Sequence, residues 1–206
     1  MESELTFRIA FACLLSAMGI VRCCYHLKAG TPWEPLIGER EPHDNGVRRL
    51  LWGWFLMASF LVFIFFPGWL SWSRAPLPDG LRWVGLGLGV LGLLLLVWVQ
   101  HSLGRQFSAT LQIRQHHNLV VTGPYRRMRH PMYSALILLW VGLAILSASW
   151  LILLWVLAGV RGIVRDRAPL EEAMMLEAFG DTYRDYMRRT SRFLPRWGAV
   201  VWPPSN

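Results

Sequence analysis

Polar and titratable side chains gather in two stretches of this chain, 105–133 and 161–195, without an obvious role in solvation. The first holds Gln112, His117, Tyr125, His130 and Tyr133 among five arginines, and the second holds Arg167, Glu171 and Arg189. Pro131 suits the first turn of a helix, where its missing N–H is not needed. His130 then lies beside the exposed backbone donors of a helix N-terminus, a place that favours an anionic or polar ligand group. Arg167 and Glu171 are four residues apart and share one helix face, so both can reach one cavity. Arginine offers a planar two-donor fork for a carboxylate, and a glutamate suits a cationic ligand. The chain has no GxSxG elbow, HExxH pair or phosphate-binding Walker loop. His116 and His117 point to different sides of any regular element and have no carboxylate or thiolate nearby, so no metal site is expected.

The elements that carry these residues must suit a lipid environment. Hydrophobic residues make up 54% of the 206 and charged residues only 17%, too few to cover a water-facing surface. Mean hydropathy is +0.34. The net charge of +8 comes from 21 basic side chains that include a single lysine, Lys28. In so apolar a chain, arginine marks the cytoplasmic side of a membrane rather than a nucleic-acid surface. Cys13, Cys23 and Cys24 lie in or beside the first apolar stretch and read as reduced packing or lipid-facing residues.

Four apolar blocks follow: about 5–24, 50–70, 81–100 and 132–164. A span needs ~20 apolar residues, so the first three fit one crossing each. The fourth is too long for one crossing, and its small polar break at Leu146-Ser-Ala-Ser-Trp150 suits a tight helical hairpin. The segment 101–131 carries five arginines and no acid, and the chain beyond 160 is again arginine-rich. Placing both on the cytoplasmic face requires an even number of crossings between them, which a hairpin supplies. The expectation is therefore an all-α integral membrane protein of about five transmembrane helices, the last two a hairpin. Its N-terminus lies outside, its C-terminus and active site in the cytoplasm. Residues 1–104 form the first three helices and their loops, and 105–206 the polar cluster, the hairpin and the C-terminal amphipathic helices.

Most tryptophans, Trp33, Trp52, Trp69, Trp72, Trp83, Trp98 and Trp150 among them, fall near span ends and read as interfacial anchors. Gly87-x-Gly89-x-x-Gly92 imitates a dinucleotide fingerprint inside an unbroken apolar span, without a preceding strand or a later acid. Gly85 and Gly89 read instead as small residues that let two helices approach closely. In the second polar stretch, Pro169 opens a helix whose apolar positions Ala173, Leu176, Phe179 and Tyr183 recur at helical spacing until Gly180-Asp181 breaks it.

The ordered series His117-x-Leu-Val-x-x-Gly-x-Tyr125, Arg129-His130-Pro131-x-Tyr133, then Arg-Asp-Arg167-x3-Glu171-Glu172-x6-Phe179-Gly180-x2-Tyr183-x2-Tyr186 resembles the isoprenylcysteine carboxyl methyltransferases. The same signature marks the wider group of membrane methyltransferases that includes phospholipid N-methyltransferases. The resemblance covers 105–195. It implies S-adenosylmethionine as cofactor, bound at the cytoplasmic edge by Gln112, His117, Asn118, Leu119, Val120, Tyr125, His130, Pro131, Met132, Tyr133 and Glu171. It also implies catalytic roles for Arg167, which positions the substrate, and for Arg189 beside the substrate path. The partners so implied are the lipid bilayer and a lipophilic, prenylated methyl acceptor, with neither nucleic acid nor metal. A carboxylate acceptor is already ionised at neutral pH and needs no general base, in keeping with the absence of any base–nucleophile motif.

Overall fold

The computed structural model describes residues 2–29, 46–103 and 119–196. Six helices follow in order: α1 Glu2–Ala29, α2 Gly46–Phe65, α3 Asp79–Leu103, α4 Pro131–Ser147, α5 Trp150–Gly162 and α6 Ala168–Arg189. Among the described residues the only β-type pairings are two isolated bridges. α1 and α3 are long and apolar enough to cross a membrane. Large apolar side chains face outward along the bundle, among them Ile20, Trp54, Leu94 and Leu154. An exposed apolar surface of this kind belongs in hydrocarbon, and the helices satisfy their own backbone there. The molecule is an all-helical integral membrane protein.

The second apolar block departs from a straight span. α2 stops at Phe65, and the chain turns by 114° into a 3₁₀ segment, Pro67–Ser73. Pro67 is the cause, because a proline clashes with a continuing helix and lacks the N–H to bond it. The expected hairpin is present. Ala148 takes the left-handed conformation, φ 51°, at the end of α4, and the Ser149 hydroxyl caps α5 by accepting from the Ile152 N–H. α4 has 17 residues, about 25 Å of helix. α5 runs without a turn through one π-helical segment, Ile163–Arg167, into α6. Pro169 stands at the head of α6 as expected, though in a continuing helix rather than after a loop. Its missing N–H leaves a carbonyl one turn earlier unmatched, and the wider π turn takes up that irregularity.

The tightest seam joins α3 and α4. A Cβ on Gly92 would stand 2.6 Å from the Leu139 backbone nitrogen, and one on Gly142 2.5 Å from that of Gly89. Gly85 and Gly89 therefore serve close packing, as expected, and Gly92 joins them, whereas a Cβ on Gly87 would meet nothing within 4 Å. α1 lies along the same pair. Leu14 fills the space beside Gly89, while Met18 and Val21 pack against Leu96, Ala135 and Leu136. Trp69, Trp72, Trp83, Trp98 and Trp150 are exposed, as interfacial anchors should be. Trp52 differs. It packs against Trp140 at 5.4 Å and donates its indole N–H to the Trp155 carbonyl at 2.7 Å, so it joins α2 to the hairpin.

At one end of the bundle the buried Arg82 donates to Glu4 at 2.6 Å and to the Leu146 carbonyl at 3.0 Å, and lies over the Phe7 ring. Arg74 reaches the same glutamate, and the Ser73 and Ser149 hydroxyls bond at 2.8 Å. The start of α1, the 3₁₀ segment, the start of α3 and the hairpin tip thus close one end of the molecule. The described parts of the two polar stretches converge at the other.

Candidate active site

Three short elements set the site. Thr122 precedes a 3₁₀ turn, Gly123–Arg126, in which Gly123 takes φ +58°. A side chain there would be strained by the backbone and would strike the Ser102 hydroxyl. The segment after α6 then runs beside the segment before α4. Arg129 N–H donates to the Ser191 carbonyl at 2.8 Å, and His130 N–H to the Arg192 carbonyl at 3.0 Å. Ser134 adds a hydroxyl bond to the Phe193 carbonyl at 2.5 Å. The Tyr186 hydroxyl donates to the Tyr125 carbonyl at 2.8 Å, which ties α6 to the 3₁₀ turn. The start of α4 and the start of α6 are thereby held face to face.

Pro131 occupies the first turn of α4, with His130 at the cap. The His130 ring is buried and stacks on Tyr133 at 5.6 Å. Its Nδ1 lies 3.5 Å from Glu171 and its Nε2 3.3 Å from Glu172. Burial disfavours its charge, but the hydrogen bonds and charges of the two carboxylates outweigh that and raise its pKa. Tyr133 donates its hydroxyl to Glu171, and Arg167 Nε donates to the same carboxylate at 3.2 Å and to the Tyr133 oxygen at 3.1 Å. Arg167, Glu171, Tyr133 and His130 form one connected cluster. Tyr125 feels the charges of Glu171 and Tyr133, and burial foremost, then those charges, pushes its phenol up. It remains neutral and stands beside the cluster.

Behind this layer is a second carboxylate. Glu172 is buried and accepts from Arg129 at 2.9 Å, from Arg192 Nε at 3.1 Å and from His130. Burial would raise its pKa, but the bonds from His130, Arg192 and Arg129 hold it well below the usual carboxylate range. Arg129 also donates to the Met187 and Thr190 carbonyls at the end of α6. This places a charged residue on the buried side of α6. Ala168, Glu172, Tyr183 and Tyr186 are buried, whereas the expected apolar position Ala173 is exposed. Gly180 breaks α6 as expected, at φ 53°.

Of the sequence-derived site residues, the structure brings together Tyr125, His130, Tyr133, Arg167 and Glu171. Pro131 and Met132 follow directly on α4, while Leu119 and Val120 lie half-buried on the chain leading to the turn. Gln112, His117 and Asn118 lie outside the described residues. Arg189 stands in the last turn of α6, beyond the Gly180 break. The apolar period of α6 does not reveal the role of Glu172, and its place beside Glu171, with Arg165 and Arg167 before it, is the one local hint.

Residues 81–182 match the family model described as phospholipid methyltransferase. Protein-S-isoprenylcysteine O-methyltransferase B of Arabidopsis thaliana is 31% identical over 113 residues, 54% of this chain and 57% of that protein. The nickel-cobalt-cadmium resistance protein NccN of Alcaligenes xylosoxydans xylosoxydans is 29% identical over 164 residues, 79% of this chain and 72% of that protein. Among solved structures, a eukaryotic intramembrane Ras methyltransferase, isoprenylcysteine carboxyl methyltransferase, aligns with a TM-score of 0.55 at 24% identity. That alignment covers 74% of this chain and 54% of the other, and it shows a shared fold. The chain spans less than two thirds of the length of the plant isoprenylcysteine methyltransferases it matches.

Proposed function

Because this chain belongs to the isoprenylcysteine carboxyl methyltransferase family, we propose that it methylates the carboxylate of a lipophilic, isoprenylcysteine-like acceptor. The donor is S-adenosylmethionine, which supplies an electrophilic methyl group on a cationic sulfonium. The observation that carries this reading is the cluster Arg167–Tyr133–Glu171–His130, built by helices α4 and α6 where the family motifs fall.

The residues present suit such a donor. Glu171 offers a carboxylate to an ammonium group, and the first turn of α4 offers backbone donors to a carboxylate. Tyr133 and Arg167 orient Glu171 from one side and His130 from the other, so the carboxylate is fixed before any ligand arrives. Gln112, His117, Asn118, Leu119 and Val120 complete the donor site, and Pro131 and Met132 shape its α4 wall. Arg167 aligns the acceptor, and Arg189 flanks the path by which it enters. The acceptor carboxylate is ionised at neutral pH, so the residues need to orient it and exclude water rather than move a proton. The five-span arrangement with N-terminus outside and site in the cytoplasm follows from the arginine distribution. Residues 1–104 then supply the first three membrane helices and their loops, and 105–206 the cofactor-binding and catalytic region.

Two variants test the reading. Glu171→Ala should weaken S-adenosylhomocysteine binding by about tenfold to a hundredfold, the loss of one charge-assisted hydrogen bond of ~1.5–3 kcal/mol. Arg167→Lys should sharply reduce methyl transfer to a farnesylcysteine analogue while S-adenosylhomocysteine affinity stays near wild type. Full activity in Arg167→Lys, or methylation of amine lipids but never of the carboxylate, would favour a phospholipid methyltransferase, the activity for which the matching family model is named.

A further inference from the structure

Two polar side chains outside the motif region have no hydrogen-bond or ion-pair partner among the described residues. Gln100, near the end of α3, is fully buried, and neither its amide oxygen nor its amide nitrogen has a hydrogen-bond partner. Buried amides are almost always paired, because leaving both atoms unmatched carries the full desolvation penalty. Arg22, on α1, is half-buried, and among the described residues no hydrogen bond or ion pair holds it.

Helix register puts the two in one layer. Leu14 meets Gly89, and Met18 and Val21 meet Leu96 and Ala135, so α1 and α3 descend side by side toward the start of α4. One turn past Leu96 comes Gln100, and one turn past Met18 comes Arg22. On α4, one turn before Ala135 comes Pro131, with Met132 and Tyr133 next to it. Arg22 also lies six residues inside Lys28, about 9 Å from the helix end. Across the site, Arg167 Nε is already engaged by Tyr133 and Glu171.

We propose that Arg22 binds the carboxylate of the methyl acceptor, with Gln100 hydrogen-bonding the acceptor's polar head in the same layer. The acceptor would then lie between the α1–α3 wall and the α4–α6 cluster, its apolar tail toward lipid. This assignment rests on the methyltransferase reading. The donor's own carboxylate presents the same chemistry, and the experiment separates the two.

Binding of N-acetyl-S-farnesylcysteine, of its carboxamide and of S-adenosylhomocysteine is measured on the full chain in lipid nanodiscs. Wild type should prefer the acid to the carboxamide by tenfold or more. Arg22→Gln should bring that ratio within about twofold of one and leave S-adenosylhomocysteine affinity within twofold of wild type. An unchanged acid preference would overturn the assignment, and so would a parallel loss of S-adenosylhomocysteine affinity, which would move Arg22 to the donor. Should Arg22→Gln fail to fold, Arg22→Lys should retain part of the acid preference. Gln100→Met should bind the acid at least fivefold more weakly while melting no lower than wild type without ligand, and unchanged acid binding there would also refute the assignment. A wild-type chain that binds no S-adenosylhomocysteine refutes the methyltransferase reading itself, an outcome distinct from normal binding with an indifferent Arg22.

Discussion

The two ends of the helical bundle treat buried charge in opposite ways. At the hairpin-tip end, Arg82 has Glu4, the Leu146 carbonyl and the Phe7 ring, and Glu4 has Arg74 as well. Each of these charges is met by another part of the same chain, so they act as a clasp between α1, α3 and the hairpin, although nearby Arg8, which donates to the Ile64 carbonyl, leaves its buried Nε unpaired. At the opposite end, Glu172 is matched as fully, by Arg129, Arg192 and His130, but the layer in front of it is not. Glu171 is shared among Tyr133, Arg167 and His130, while among the described residues Gln100 and Arg22 meet no partner. A buried polar group left unmatched is costly in a fold and useful in a site, where the ligand supplies the missing bond. The difference separates charge that holds helices from charge that waits for a ligand.

Glu172→Leu should break the comparison most severely. It strands Arg129 and His130 in a buried setting, a loss of about 3–5 kcal/mol for a broken buried pair. Thermal melting should show a large destabilisation with the Arg82 clasp intact, and a melting temperature near wild type would mean that Glu172 belongs with the ligand-binding layer. Arg82→Met should cost less, about 1–3 kcal/mol, because Glu4 keeps Arg74 and the methionine fills much of the space. S-adenosylhomocysteine affinity should not change. A fall in that affinity would show that the two ends are coupled through α3 and α4.

The smallest effect concerns pH. His130 has a raised pKa when folded, so folding takes up a proton there. The stabilisation is complete below the unfolded value of about 6.5 and fades as pH rises through the folded value. Melting temperature should therefore decline over the range above about pH 6.5, and His130→Gln should flatten that part of the profile. An identical profile in His130→Gln would assign the pH response elsewhere.

Much of the architecture was legible along the chain because bilayers impose simple rules on length and charge. The hairpin break at Ser147–Ser149, the turn at Gly123, the α6 break at Gly180 and the packing role of Gly85 and Gly89 are local or periodic features, and each appears where its residues lead one to look. The bend at Pro67 was equally local, yet a hydropathy window averages over it. The amphipathic face of α6 was read by apolar period, which overlooks a buried Glu172 because a carboxylate can be buried only when distant cations are brought to it.

By itself the sequence determined a membrane-embedded helical chain and the family-like set His130, Tyr133, Arg167 and Glu171, since composition, helical spacing and ordered motifs are properties of neighbouring residues. Only the tertiary structure decided which carboxylate takes which partner. Glu171 and Glu172 are adjacent, yet one serves Tyr133 and Arg167 while the other binds Arg129 and Arg192. It also decided that Arg22 and Gln100, 78 positions apart, stand in one layer beside α4. Such pairings depend on helix register across the glycine seam, and register is set by packing between segments far apart in the chain.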